Sequence, residues 1–204
     1  VGANWVEDIE RIRDTVPMLN PGEKAMADAN QGWRLDDAIR VARATKDLDF
    51  ILEQPCHSYE ECQQVRRVAD QPMKLDDRST GLAAARRVSA DRGAEICCLK
   101  ISNLGGLSKA RRVRDVLIDA GIPVVAEDTW GGEITSAALA HFAASTPPEM
   151  LENTTDLMNY NSASTGIGGP TAKGGKLYAA DTPGLGGTPD FDALGAPVLD
   201  WSAK

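Results

Sequence analysis

The sequence lacks the long apolar runs of a membrane protein. Although 42% of its 204 residues are hydrophobic, no uninterrupted apolar stretch approaches the roughly 20 residues of a membrane-spanning helix. No signal peptide is recognisable at the start. The first residue is valine and not methionine, from which we expect a processed, tagged or truncated chain. These absences favour a cytoplasmic protein with no membrane partner.

An excess of basic residues is also absent. The 22 lysines and arginines are outnumbered by 30 aspartates and glutamates, and the net charge is −8. Proteins that bind nucleic acids usually present a basic face to the phosphates. The composition therefore argues against a nucleic-acid partner, while the charged fraction of 25% is ordinary for a globular chain.

Cysteine is scarce, and its spacing fits no zinc-binding pattern. The four cysteines are Cys56, Cys62, Cys97 and Cys98. The last two lie in an apolar run, where a free thiol behaves as a small hydrophobic group. We expect all four to be reduced.

What the sequence does contain is a regular alternation of strand-like and helix-like stretches with short links. This alternation predicts a parallel sheet with right-handed crossovers. Six strands are expected, ending near Asn30, Gln54, Asp77, Ser102, Asp128 and Thr154. A closed (β/α) barrel needs eight strands, so we expect an α/β fold with a partial barrel of the TIM type over residues 1–155. An open doubly wound sheet is the alternative, but no G-x-G-x-x-G motif follows the first strand.

Residues 156–204 differ in composition from the rest. Glycine, serine, threonine, asparagine and proline dominate residues 158–189, and apolar residues are scattered. We expect an ordered, irregular segment that packs back on the barrel or on a capping domain. A disordered tail is the alternative.

Charged residues recur at the ends of the predicted strands. Asp28, Glu53, Asp76 and Lys100 each close one strand, at intervals of about two dozen residues. The carboxyl ends of parallel barrel strands share one face, where active sites lie. Three carboxylates suit Mg²⁺, whereas zinc would favour histidine or cysteine. The sequence therefore predicts a magnesium site, the alternative being that each acid caps the helix after its strand.

Lys100 ends an otherwise apolar strand, predicted over Ile96–Ser102. Lysine is rarely buried without a partner, and a nearby dication disfavours its ammonium form. This would suit Lys100 to act as a general base near neutral pH. The metal would then stabilise the enediolate formed when a carboxylate substrate loses its α-proton. The alternative is an ion pair with Asp76 or Asp128.

Four short motifs occur in order along the chain: Asp28-Ala29-Asn30-Gln31-Gly32-Trp33, Glu53-Gln54-Pro55, Leu75-Asp76-Asp77 and Leu99-Lys100-Ile101-Ser102. Together they resemble the enolase superfamily, and within it the mandelate racemase and muconate lactonizing enzyme branch. The resemblance implies the C-terminal portion of an enolase-type barrel and an α-proton-abstracting enzyme. It also implies Mg²⁺ ligands at Asp28, Glu53 and Asp76, an acid/base at Lys100, and supporting positions beside the ligands at Asn30 and Asp77.

The sequence departs from the family pattern in two places. Asp77 stands where the family usually has glutamate. The family's Lys-x-Lys motif, often followed by Val-Gly, would lie just upstream of Val1-Gly2. We therefore expect the second acid/base, the first barrel strands and the capping domain to lie upstream of this chain.

The stretch from Glu127 to Gly132 is expected to face the substrate. Asp128 could bind a cationic amine by charge, and Trp130 by a cation–π contact of roughly 0.5–2 kcal/mol; a hydrophobic lid is the alternative for Trp130. This stretch and the run after Glu53 resemble family members that act on proline derivatives. The resemblance favours dehydration of cis-3-hydroxy-L-proline. A 2-epimerase or racemase of a proline betaine or another amino-acid derivative, and a non-catalytic barrel fragment, remain alternatives. We expect a homo-oligomer.

Overall fold

The computed structural model describes residues 1–76 and 81–199 and contains a six-stranded sheet. The strands lie in the sheet in chain order. They are β1 (Met26–Asp28), β2 (Ile51–Glu53), β3 (Met73–Leu75), β4 (Ile96–Lys100), β5 (Val124–Glu127) and β6 (Leu151–Thr154). The helices are α1 (Trp5–Thr15), α2 (Leu35–Ala44), α3 (Tyr59–Arg66), α4 (Leu82–Asp91), α5 (Ile101–Leu104), α6 (Leu107–Asp119) and α7 (Glu133–Ala144). The predicted α/β class with six parallel strands is confirmed.

One predicted strand is too long. The strand expected to reach Ser102 ends at Lys100, and Ile101–Leu104 forms the short helix α5. The Asp128 carboxylate accepts a hydrogen bond from the Ser102 backbone N–H. A side-chain acceptor for an N–H in the first turn favours helix over continued strand.

The chain divides into two compact units, and the first comprises Val1–Leu99 and Arg112–Val124. In this unit, strands β2 and β3 are buried along their whole length. The parallel register pairs Asp28 with Glu53 and Glu53 with Lys74. Fully buried side chains from strands and helices fill its core, among them Leu52, Met73, Leu75, Val41, Val65 and Val88.

The second unit comprises Lys100–Arg111 and Val125–Lys204. Helix α7 contributes the buried Leu139 and Phe142. The segment expected to be irregular contains two antiparallel ribbons and a short helix. They are β7 (Gly166–Gly168) with β10 (Gly187–Pro189), β8 (Thr171–Lys173) with β9 (Lys176–Tyr178), and α8 (Phe191–Leu194). The predicted boundary between 1–155 and 156–204 stays a prediction.

The structure also describes the state of the cysteines and the length of the helices. All four cysteines are buried and free of disulfides. Within residues 1–76 and 81–199, no helix is both long enough and apolar enough to cross a membrane.

Candidate metal-binding site

The first unit brings three predicted ligands together at the carboxyl ends of neighbouring strands. Asp28 ends β1 and is exposed, Glu53 ends β2, and Asp76 directly follows β3. Glu53 and Asp76 are buried, at 4% and 6% exposure. The negative charges of Asp28 and Asp76 both act on the Glu53 carboxyl. The strand ends therefore gather a cluster of three carboxylates, which we call the carboxylate cluster.

The electrostatics of Glu53 reflect this crowding. Burial raises the pKa of Glu53 to about 7; an ion pair with Lys74 acts in the opposite direction, and repulsion from Asp28 and Asp76 adds to the rise. Such a group of hard oxygen donors with excess negative charge is chemically suited to a divalent cation. The donor set thus fits the metal that the sequence predicts.

The side chains are not arranged as ligands in this structure. In the described part of the chain, no group of three or more histidine, cysteine, aspartate or glutamate side chains is placed to hold a metal ion. The Glu53 carboxylate instead contacts Lys74, whose Nζ lies 2.8 Å from Glu53 Oε1. The three ligand assignments therefore stay predictions.

Lys74 is a residue that the sequence analysis missed. Its side chain is only 4% exposed, and its Nζ also lies 3.4 Å from Met26 Sδ. A lysine in the middle of an apolar strand, two residues before a predicted ligand, was the available signal. Lysine is almost never buried unpaired, and the ion pair with Glu53 compensates the charge of Lys74.

The helix-cap alternative would place each acid at the N-cap of the helix after its strand. The Asp28 carboxylate accepts a hydrogen bond from the Asn30 N–H at 2.7 Å, within its own loop. None of the three is the N-cap of the helix that follows its strand. Those N-caps are Arg34, Ser58 and Gly81.

Gln54 connects the chain that leaves β2 with the chain that leaves β3. This fully buried side chain accepts a hydrogen bond from the Asp76 N–H at 2.8 Å and donates one to the Cys56 carbonyl at 3.0 Å. Its φ of 35° lies in the left-handed region, which is unfavourable for a residue with a side chain. The sequence marked this residue as part of a motif but gave no sign of its bonding.

The loop after Asp28 is held from the other side by Asp8. This helix residue is 1% exposed and accepts hydrogen bonds from the Gly2 N–H at 2.8 Å and the Trp33 indole N–H at 2.9 Å. Arg11 pairs with its second oxygen at 2.7 Å. An acid facing inward on an amphipathic helix was the overlooked signal.

The second unit contains Lys100 and Asp128. Lys100 is partly buried at the end of β4. Asp128 is 5% exposed and accepts hydrogen bonds from the N–H and hydroxyl of Ser102 and from the Thr129 N–H. Asp128 thus fixes the start of α5, immediately after Lys100. Its role in binding an amine, and the role of Lys100 as acid/base, stay predictions.

Trp130 presents an open aromatic face in the same unit. It is 64% exposed, and its ring centroid lies 5.9 Å from that of Tyr160 at a tilt of 57°. The Asn161 amide donates a hydrogen bond to the Gly131 carbonyl at 3.0 Å, which joins the two aromatic loops. An exposed aromatic pair is compatible with both the cation–π and the lid interpretation.

Two supporting positions were also predicted. Asn30 has a left-handed φ of 48°, and its backbone N–H binds Asp28, so it supports the carboxylate through its backbone. Asp77 lies outside the described residues. The supporting role of both side chains stays a prediction.

Comparison with known proteins places the chain in a family. The family model "Enolase C-terminal domain-like" matches residues 1–193. The chain therefore belongs to the enolase superfamily, as the C-terminal barrel domain of the mandelate racemase/muconate lactonizing enzyme branch.

Individual relatives cover nearly the whole chain. It is 43% identical to the cis-3-hydroxy-L-proline dehydratase of Roseibium aggregatum over 99% of the chain and 55% of that protein. A crystal structure of a mandelate racemase/muconate lactonizing enzyme from Roseovarius nubinhibens superposes with a TM-score of 0.96 at 77% identity, covering 98% of the chain and 55% of that structure. An enolase-superfamily member from the same organism, solved in complex with magnesium, superposes with a TM-score of 0.90 at 28% identity. The match covers 97% of the chain and 54% of that structure. The chain thus spans about half the length of these relatives.

Proposed function

We propose that this chain forms the metal-binding and acid/base half of an enzyme that dehydrates cis-3-hydroxy-L-proline. The observation that carries the proposal is the 43% identity to a dehydratase of this substrate along 99% of the chain. The carboxylate cluster at three successive strand ends supports it, because removal of an α-proton beside a carboxylate needs a positive centre there.

In this proposal Asp28, Glu53 and Asp76 hold Mg²⁺. When bound, the ion would neutralise the substrate carboxylate and the negative charge that develops on it. The proposal requires the Glu53 carboxylate to turn from Lys74 toward the ion. Gln54 and the loop after Asp28 would keep the strand ends in place while the side chains turn.

Lys100 would accept the α-proton of the substrate. The Cα–H bond breaks, its electron pair forms the Cα–Cβ double bond, and the C3–O bond breaks with departure of the hydroxyl. The proton taken from Cα and the departing hydroxide leave as water, so atoms and charge balance. Asp128 would hold the backbone just after Lys100, and Trp130 would cover the cationic ring nitrogen.

The test is proton NMR of cis-3-hydroxy-L-proline in D₂O with Mg²⁺ and the full-length protein. We expect the α-proton and the C3 hydroxymethine signals to disappear together. Lys100→Ala should abolish both changes, whereas Lys109→Ala, at an exposed lysine of α6, should leave them unaltered.

Other outcomes would redirect the assignment. Exchange of the α-proton with retention of the 3-hydroxyl would indicate an epimerase, the second candidate from the sequence motifs. No exchange with any of a panel of proline and hydroxyproline derivatives, their betaines included, would refute the proline-derivative assignment.

A further inference from the structure

We propose that Lys74 is an internal counter-ion of the carboxylate cluster that competes with the divalent cation for Glu53, so that removing its charge tightens metal binding. This inference depends on the metal site of the proposed function. It assigns a metal-tuning role to a residue outside the predicted ligand set.

The strand register places Lys74 against the cluster. Glu53 of β2 is the parallel partner of Lys74 in β3. Asp76 lies two residues beyond Lys74, and side chains two apart along a strand share one face of a sheet. Lys74 thus lies on the face of the predicted ligands, in register with Glu53 and two residues before Asp76.

The side chain of Lys74 reaches from β3 to residues of β2 and β1. Its Nζ reaches Met26 Sδ at 3.4 Å, and Met26 is on β1, which the order β1-β2-β3 separates from β3 by one strand. Met26 lies two residues before Asp28 in the same strand. The ammonium therefore lies against the Glu53 carboxylate and also contacts β1, at the residue two positions before Asp28.

The ion pair between Lys74 and Glu53 is close and buried. Lys74 and Glu53 approach to 2.8 Å with both side chains 5% exposed or less. In such surroundings, charge interactions are much stronger than in water. Loss of one ion-pair partner by a buried ammonium is costly. A divalent cation that draws Glu53 away must offset this cost, and it is also repelled by the charge of Lys74. Both effects weaken the binding of the cation.

The experiment measures metal affinity, not turnover. Mn²⁺ is titrated into the metal-free, full-length protein, and free Mn²⁺ is followed by electron paramagnetic resonance. Lys74→Met, which keeps the length of the side chain but not its charge, should bind Mn²⁺ about tenfold tighter or more. Lys74→Arg, which keeps the charge, should not bind tighter than the wild type.

Two control variants separate the charge of Lys74 from other effects. Lys46→Met removes one positive charge at an exposed position beyond α2 and should leave the affinity unchanged. Met26→Leu removes the sulfur contact but keeps the ammonium and should have a much smaller effect than Lys74→Met. An equal gain in Lys46→Met would mean that net charge alone is responsible, which overturns the inference.

Melting temperatures with and without Mg²⁺ provide a second test in case Lys74→Met folds poorly. Lys74→Met should lower the melting temperature of the metal-free protein, because the carboxylates lose their counter-ion, and Mg²⁺ should restore more stability in the variant than in the wild type. Lys74→Gln is tested in the same way. Unchanged or weaker metal binding in both, with normal wild-type binding, refutes the role of Lys74 alone. A wild type that binds no metal refutes this inference together with the proposed metal site.

Discussion

Gln54→Met should weaken both the fold and the carboxylate cluster. The Gln54 side chain is fully buried and pairs at both ends with backbone groups, the Asp76 N–H and the Cys56 carbonyl. Methionine has a similar length and fills the same space but cannot donate or accept these bonds. The substitution therefore removes both backbone hydrogen bonds, and a weaker one from Gln54 Nε2 to Cys62 Sγ at 3.6 Å, without creating a large cavity.

The magnitude follows from the groups left behind. A buried backbone group that loses its partner costs about 1–3 kcal/mol. The Asp76 N–H is such a group, whereas the Cys56 carbonyl still accepts a hydrogen bond from the Cys62 thiol at 3.4 Å. The predicted loss in the free energy of unfolding is therefore about 1–3 kcal/mol. The left-handed φ of residue 54 is equally unfavourable for methionine and glutamine, so backbone strain does not alter the difference.

Urea unfolding of the full-length protein, followed by circular dichroism, measures this loss. The matched control is Gln64→Met, because Gln64 is an exposed glutamine of α3 with one long bond of 3.5 Å to the Glu60 carbonyl. It should change the unfolding free energy by less than about 0.5 kcal/mol. The reasoning is refuted if Gln54→Met is as stable as Gln64→Met.

Three further perturbations test neighbouring contacts. Trp33→Phe removes the indole donor to buried Asp8 and should cost about 1.5–3 kcal/mol in urea unfolding; a loss below 0.5 kcal/mol would contradict this. Gly32→Ala should be strongly destabilising because its Cβ would lie 2.3 Å from the Gly2 carbonyl oxygen, and an unchanged melting temperature would disprove it. Burial opposes the shift, but hydrogen bonds from Ser164 and Thr165 hold the pKa of Glu133 at about 2. This folded pKa lies below the usual 4.5, so the contribution of Glu133 is present above pH 4.5 and lost as the pH falls toward 2. Glu133→Gln should flatten this acid limb in pH-dependent unfolding, and an unchanged slope would refute the assignment.

The alternating pattern of the sequence predicted the fold well because it depends on local apolar runs. Six strands in chain order were expected and are present. Strand ends were less accurate: the strand after Ile96 was predicted to reach Ser102 but ends at Lys100. The bond from the Ser102 N–H to Asp128 joins residues far apart in sequence, and no local pattern reveals it.

The positions of the three acids could be predicted because each follows its own strand. Lys74 and Gln54 could not be assigned in the same way. The contact of Lys74 with Glu53 depends on the β2–β3 register, and the bond of Gln54 to the Asp76 N–H depends on the conformation of two strand exits. A sequence gives the residue type at such positions, whereas partner and register arise only on folding.

Backbone hydrogen bonds hold the strand ends of the carboxylate cluster. The N–H groups of Ala29, Gln31 and Trp33 donate to the carbonyls of three successive residues, 53 to 55, at 3.1, 2.8 and 3.2 Å. The loop after β1 is thus fixed to the exit of β2, and Gln54 fixes that exit to the exit of β3. With the backbone ordered in this way, the proposed metal binding would need only changes of side-chain rotamer. The contact that Glu53 would have to give up is the one with Lys74, which is why one substitution at Lys74 is expected to alter metal affinity while the fold persists.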